Sequence, residues 1–250
     1  MEKRTDKNSY TIIFAIIMVL IVGSLLAYAA TALKPKIDIN KQLEKQQNIL
    51  YALGVNENDE KSVAFVSTDK VADEFKKYIV KQLVIQGNDV RVDDKAYLID
   101  IKKEQASAKN PSYKRQLPLF LGVKDSKLSY IVPIRGKGLW DAVWGYVAMD
   151  EDMIVTGIFF DHKGETPGLG ANINQRFFMD DFIGENLLDT SGKFAGIDIS
   201  KTNADPVNVD KLDNEVDAIA GATITGDGVA AMIRSELKVY SSYFINLKNK

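Results

Sequence analysis

The chain contains no cysteine. That single absence removes disulfides, thiolate zinc sites, cysteine-ligated iron–sulfur clusters and cysteine nucleophiles together. There is one histidine, His162. Multi-histidine metal centres are thereby excluded, and a Ser-His triad would have one candidate base. Prolines (6) and glycines (17) are present at ordinary levels in 250 residues, so collagen-like and low-complexity classes are out. Charge of one sign is also lacking. Lys and Arg total 32 against 34 Asp and Glu, a net charge of -2, so no nucleic-acid partner is expected. What is plentiful is apolar surface: 46% of residues are hydrophobic, enough for a packed core and too many for wholesale disorder. The length suits one ordinary domain or two small ones. Redox or metal chemistry must therefore come from a bound organic cofactor or from oxygen ligands.

One run stands apart. Thr11 to Leu33 carries no charged residue. At about 1.5 Å per helical residue it reaches roughly 34 Å, enough to cross a hydrocarbon core of about 30 Å. A secretory signal has a shorter apolar core followed by small residues at a cleavage site, and Ala27-Tyr28-Ala29 faintly resembles one. The length favours a retained anchor. The expected layout is a short tail over residues 1–10, a transmembrane helix over 11–33 and a folded domain over 34–250. Lys3, Arg4 and Lys7 precede the run, while Lys34, Lys36, Lys41 and Lys45 follow it, so the positive-inside rule gives no orientation.

Beyond the anchor, Lys34-Pro35-Lys36 is expected to break the helix. A polar-rich helix then spans Ile37 to Leu53 and stops at Gly54. Val71 to Gln86 places Phe75, Tyr78, Ile79, Leu83 and Val84 at helical spacing. From Tyr97 onward short alternating runs replace that pattern. Lys127 to Ile134 is an expected strand, and Val143–Ala148 and Ile154–Phe160 form a hairpin across the acidic turn Asp150-Glu151-Asp152. A last helix runs from about Gly226 to Phe244 with Val229, Ile233, Leu237 and Tyr240 as its apolar stripe. The fold class expected is α+β, a mostly antiparallel sheet with packed helices behind one N-terminal transmembrane helix.

Three glycine-bearing segments interrupt these elements. Arg135-Gly-Lys-Gly-Leu-Trp140, taken alone, is a hairpin turn with a core tryptophan. His162-Lys-Gly-Glu-Thr-Pro-Gly-Leu-Gly170 is an irregular loop whose amides can face a ligand, and His162 reads as a turn residue. The third is Asp217-Ala-Ile-Ala-Gly-Ala-Thr-Ile-Thr225, leading into Gly226-Asp-Gly228. Thr223 and Thr225 put hydroxyls at or near a helix start, where unpaired amides favour an anion, although an ordinary N-cap threonine explains them equally well. Capping does not explain two glycines in the first turn, each costing about 1 kcal/mol against alanine. The pair Asp180-Asp181 reads as a helix start or a solvated face, and no metal ligand or catalytic residue is assigned.

Asp217…Ala220-Gly-Ala-Thr-Ile-Thr225 resembles the flavinylation motif of the FMN-binding domain family, D-x-x-(S/T)-G-A-T-x-T. The resemblance implies FMN joined covalently through its phosphate to the last threonine, here Thr225. Ala220 stands where Ser or Thr is usual, while Asp217, Gly221, Ala222, Thr223 and the acceptor match. A single N-terminal anchor, Gly136-Lys-Gly-Leu-Trp140, Gly164-Glu-Thr-Pro-Gly-Leu-Gly170 and the flavinylation motif follow in the order seen in the C-subunit family of sodium-translocating NADH:quinone reductases. The Lys-Pro-x-x-x-x-Asn-Lys-x-Leu pattern at Lys34 to Leu43 extends the likeness over essentially the whole chain.

That family implies an electron relay carrying FMN within a membrane complex that oxidises NADH, reduces ubiquinone-type quinone and exports sodium. Gly138, Leu139, Trp140, Thr166, Leu169 and Gly170 become candidate walls around the flavin. The implied partners are the other subunits of the complex, a flavin transferase during maturation, and membrane lipid. The implied location is a bacterial inner membrane, crossed once, with the large domain on the periplasmic side. No dinucleotide fingerprint is present, so turnover of NADH by this chain alone is not expected. Two alternatives remain: the G-type subunit of an Rnf ferredoxin:NAD complex, which shares the second and third segments, and a non-redox, membrane-anchored binding domain.

Overall fold

A computed structural model describes residues 8–59, 62–202, 205, 208–211 and 213–248. Most of the expected N-terminal tail, residues 1–7, lies outside them. Residues up to Gln42 and residues from Leu43 onward form two units.

The first unit is the greater part of α1, a helix over Asn8–Ala52. It is long and apolar enough to cross a membrane, and its apolar side chains are exposed. The expected break at Pro35 does not occur, because Pro35 lies inside the helix. A proline removes one backbone donor and crowds the carbonyl four residues earlier. The Lys-, Gln- and Leu-rich sequence after it is a strong helix former and carries the helix on.

The second unit begins with the end of α1, where Ile49, Leu50 and Ala52 are fully buried. Helix α2 covers Val71–Tyr78 and gives way to strand β1, Ile79–Gln86. The helix expected through Gln86 is thus half strand. Leu83, Val84 and Ile85 are buried in a sheet that pairs β1 on both sides, and that pairing overrides the local helical spacing. Strand β2 is Asp89–Val92, α3 is Ile101–Ser107, and β3 is Leu117–Lys124. The expected strand at Lys127 lengthens into β4, Lys127–Lys137. The expected hairpin is β5, Ala142–Met149, with β6, Val155–His162. These six strands form one antiparallel sheet in the order β2-β1-β3-β4-β5-β6. Helices pack against it, so the α+β class is borne out.

Helix α4 spans Arg176–Asp181. Of the two readings offered for Asp180-Asp181 the helix start does not hold, the pair lying at a helix end, while Asp180 is on a solvated face. The acidic side chain there is retained by pairing, since Asp180 meets Arg176 one turn back at 3.0 Å. Strands β7, Asp198–Ile199, and β8, Glu215–Val216, form a separate parallel pair. The last helix, α5, covers Thr223–Lys248. Its stripe of Val229, Ile233, Leu237 and Tyr240 is buried as expected. Tyr240 donates to the Pro118 carbonyl at 2.9 Å, and Arg115 Nη1 donates to Glu236 at 3.0 Å, tying α5 to the β3 side.

Register and glycine contacts aim the start of α5. Val143 on β5 pairs with Gly136 of β4 and with His162 of β6, so the 138–141 turn and the loop after His162 leave the sheet side by side. A β-carbon on Gly228 would lie 2.3 Å from the Lys137 carbonyl oxygen. The helix therefore reaches the β4–β5 turn only because that residue has no side chain.

Candidate functional site

Helix α5 begins at Thr223, three residues before the expected position. The Gly226 amide bonds to the Ala222 carbonyl at 2.9 Å, which makes Ala222 the N-cap. An alanine has no capping oxygen, so the amides of Thr223, Ile224 and Thr225 precede any helical acceptor. Neither threonine is the cap. Thr225 sits in the first turn, nearly fully buried, and its hydroxyl donates to Glu165 Oε2 at 2.6 Å.

Glu165 is held from the opposite side by the β4–β5 turn. Its Oε1 accepts the Trp140 amide at 3.0 Å and the Asp141 amide at 3.5 Å. Its own amide donates to His162 Nδ1 at 3.2 Å, so the single histidine braces the loop where β6 ends. Burial alone would raise the Glu165 carboxyl. The Thr225 hydroxyl and the amides of Trp140, Asp141 and Leu139 outweigh it and hold the group below its ordinary range. The result is an ionised carboxylate enclosed by donors. Two glycines make room for it. A β-carbon on Gly138 would stand 2.5 Å from Glu165 Oε1, and one on Gly170 would stand 2.5 Å from Thr225 Oγ1 and 2.7 Å from Glu165 Oε2.

A cavity of about 290 Å³ opens in front of this pair, lined by Leu139, Glu165, Thr166, Leu169, Gly170, Gly221, Ala222, Thr223, Ile224 and Thr225. All three glycine-bearing segments meet there. Gly221 turns the chain with φ +73, and a β-carbon on it would meet Leu169 at 2.9 Å. Gly138 lies behind Glu165 rather than on the wall. Trp140 is 67% exposed, not the core residue that a plain hairpin reading gives it. Its own amide and that of Asp141 are taken by the Glu165 carboxylate, and its Nε1 donates to Thr166 Oγ1 at 3.2 Å beside the cavity. Asp217 does not line the cavity. Its Oδ1 accepts the Asp205 amide at 3.4 Å, and its Oδ2 is buried with no hydrogen-bond partner among the described residues.

Sequence reasoning passed over Glu165 and Ile224. Glu165 is separated from Thr225 by 60 positions. The available signal was a lone carboxylate in a Gly-, Pro- and Leu-containing loop directly after a buried strand. No group of acidic and histidine side chains suited to a metal ion occurs among the described residues.

Comparison with known proteins agrees on this region. Residues 138–238 match the FMN-binding domain family. The C subunit of the Na(+)-translocating NADH-quinone reductase of Haemophilus ducreyi is 31% identical over 231 residues, covering 90% of this chain and 87% of that protein. The same subunit of the Neisseria meningitidis serogroup B enzyme is 32% identical over 247 residues, covering 92% and 90%. The crystal structure of the C subunit from Parabacteroides distasonis aligns with a TM-score of 0.71 at 30% identity, over 85% of this chain and 96% of that one. Shewanella oneidensis NqrC aligns with a TM-score of 0.66 at 28% identity, over 84% and 99%.

Proposed function

This chain belongs to the C-subunit family of Na(+)-translocating NADH-quinone reductases, and from that premise we propose that it carries FMN covalently on Thr225, through the phosphate. It serves as an electron relay in the membrane complex. NADH oxidation, quinone reduction and sodium export are shared with the other subunits. The observation that carries the reading is the Thr225 hydroxyl, placed in a cavity wall at the start of α5 beside amides with no helical acceptor. The relatives' names favour this reading over the Rnf G-type and non-redox alternatives.

The residues present fit such a group. A threonine phosphodiester carries about one negative charge, and a helix N-terminus stabilises it by roughly 0.3–1 kcal/mol. The Thr223 hydroxyl stands on the same wall. Leu139, Leu169 and Ile224 are each at least 41% exposed around the cavity, in position to cover a flat apolar ring, with Trp140 beside them. Thr166 and loop amides suit the ring's polar edge. Bound FMN supplies the redox chemistry, and the chain holds and orients it. Asp217 acts at one remove, by accepting the Asp205 amide.

The layout that goes with this is a cytoplasmic tail over residues 1–10, an inner-membrane anchor over 11–33 embedded in lipid, and a periplasmic domain over 34–250. A flavin transferase loads the domain there. Protease added to intact spheroplasts is expected to digest the domain, and full protection would reverse the orientation. Peptide mass spectrometry on denatured protein tests the site. Thr225→Ala should abolish covalent FMN, whereas Thr223→Ala should slow loading without moving it. FMN found on Thr223 would overturn the assignment. The loaded chain alone should accept electrons from a chemical reductant yet show no NADH turnover.

A further inference from the structure

We propose that the chain supplies its own proton acceptor for flavin attachment: Glu165 Oε2 takes the proton from the Thr225 hydroxyl as the phosphoester forms. This rests on Thr225 being the acceptor, and it assigns a chemical role to a residue that the flavinylation motif does not contain.

Geometry carries it. The hydroxyl donates directly to the carboxylate at 2.6 Å, within the reach a general base requires. The carboxylate is 4% exposed and is aligned by the turn amides on its other oxygen, so Oε2 is directed at Thr225. Gly170 leaves both atoms in contact where any side chain would push between them. The same donors keep Glu165 ionised, which is the state a base needs. An alcohol loses its proton only as the new bond to phosphorus develops, so even a weakly basic carboxylate is effective when already in contact.

The step balances without an oxidant. Ester formation from a free phosphate monoester is unfavourable in water, so the flavin arrives as a phosphoanhydride. Thr225 Oγ1 bonds to the flavin-side phosphorus. The anhydride P–O bond breaks, and a nucleoside monophosphate leaves with that electron pair. The hydroxyl proton passes to Glu165 Oε2 and thence to solvent. The ester oxygen can no longer donate, so the Thr225–Glu165 hydrogen bond exists only in the unloaded chain.

The test uses the full chain in detergent with a flavin transferase and flavin adenine dinucleotide, reading attached mass against time. Glu165→Gln keeps the shape and removes the base. Its loading is expected to be about 100-fold slower at neutral pH. Hydroxide replaces the missing base, so the deficit should shrink as pH rises from about 7 to about 9. Lys137, Asp141, Asp161, His162, Lys163 and Asp227 lie on the surrounding segments, with Asp141 paired to Lys163. They are common to both proteins, so the ratio of rates reports on position 165. Loading of Glu165→Gln within about threefold of wild type, or a deficit that does not change with pH, overturns the proposal. If the Gln variant does not melt as a folded protein, Glu165→Asp decides. It retains a base, so its deficit should stay constant with pH, and a shrinking deficit counts against the role. Thr225→Ala in parallel separates the two readings. Wild-type mass located away from Thr225 sinks the acceptor assignment, while equal loading of Thr225 in wild type and Glu165→Gln sinks the base alone.

Discussion

Glu165 and Glu185 are both removed from solvent, at 4% and 0% exposure, yet their carboxyls are displaced in opposite directions. Around Glu165 the Thr225 hydroxyl and the turn amides overcome burial and lower it. Among the described residues the Glu185 carboxylate receives one hydrogen bond, from Asn208 Nδ2 at 2.8 Å, and a longer ion pair with Lys211 at 3.9 Å. Its Oε2 has no hydrogen-bond partner among the described residues. Burial then dominates and pushes it up to about 7, with Asn208 and Lys211 opposing and Asp213 and Asp210 adding to the rise. Both sites impose a desolvation cost. The number and alignment of donors decides which carboxylate is held as an ion.

The largest expected effect separates the two sites outright. Glu165→Ala leaves the amide of Trp140 and the Thr225 hydroxyl without their buried acceptor and opens a void. It should cost about 3–4 kcal/mol of unfolding free energy. Glu185→Ala relieves a strained carboxylate and should cost less than half as much. Equal losses in denaturant titrations would erase the distinction. Next, Gly170→Ala drives a methyl between Thr225 and Glu165, and overpacking of this kind should cost about 2 kcal/mol. Its Tm is the measurement, and an unchanged Tm would mean that the cage is loose.

The third effect is a pH dependence. Because the folded-state pKa of Glu185 is raised, the native protein binds the extra proton. Its contribution to stability therefore falls as pH rises from the ordinary carboxylate range to about 7. Glu185→Gln should remove that decline and stabilise the protein by about 1–2 kcal/mol at pH 8, with little effect at pH 5. Glu165 has the opposite sign: its lowered pKa adds stability above the ordinary carboxylate range, lost only as pH falls through the folded value. Stability curves for the wild type and both Gln variants test the two signs together. The smallest effect belongs to Thr225→Val, which keeps the branched shape and deletes one donor. A loss of about 1 kcal/mol is expected. A folded Thr225→Val protein without covalent flavin would show that the hydroxyl, not the fold, is what loading requires.

Much of the framework was legible because its signals are local. The alternating apolar residues of β4, β5 and β6 and the stripe from Val229 to Tyr240 repeat with the period of their own element. The two misread segments fail for the converse reason. Ile79–Gln86 has helical spacing and β-branched content at once, and a neighbouring strand on each side settles it as β1. Pro35 announces a break that strong helix formers downstream override. At the site, the threonines and glycines were visible as a motif. Glu165 stood within the quoted Gly164–Gly170 segment, but its role was not visible, because a carboxylate in a loop acquires its meaning from donors far away in the chain.

Linear order suffices for the properties that depend on residue type and short spacing. Absent cysteine and a lone histidine limit the chemistry, an uncharged run of membrane-spanning length is readable as such, and small residues followed by threonines mark a helix start. Folding settles what depends on long-range approach. It makes Ala222 the cap, turns Trp140 outward, leaves Asp217 off the cavity wall, and places Glu165 against Thr225. The physical reason is desolvation. A buried carboxylate is tolerated as an ion only where several donors converge on it, and only the packing of turn, loop and helix brings those donors to one point.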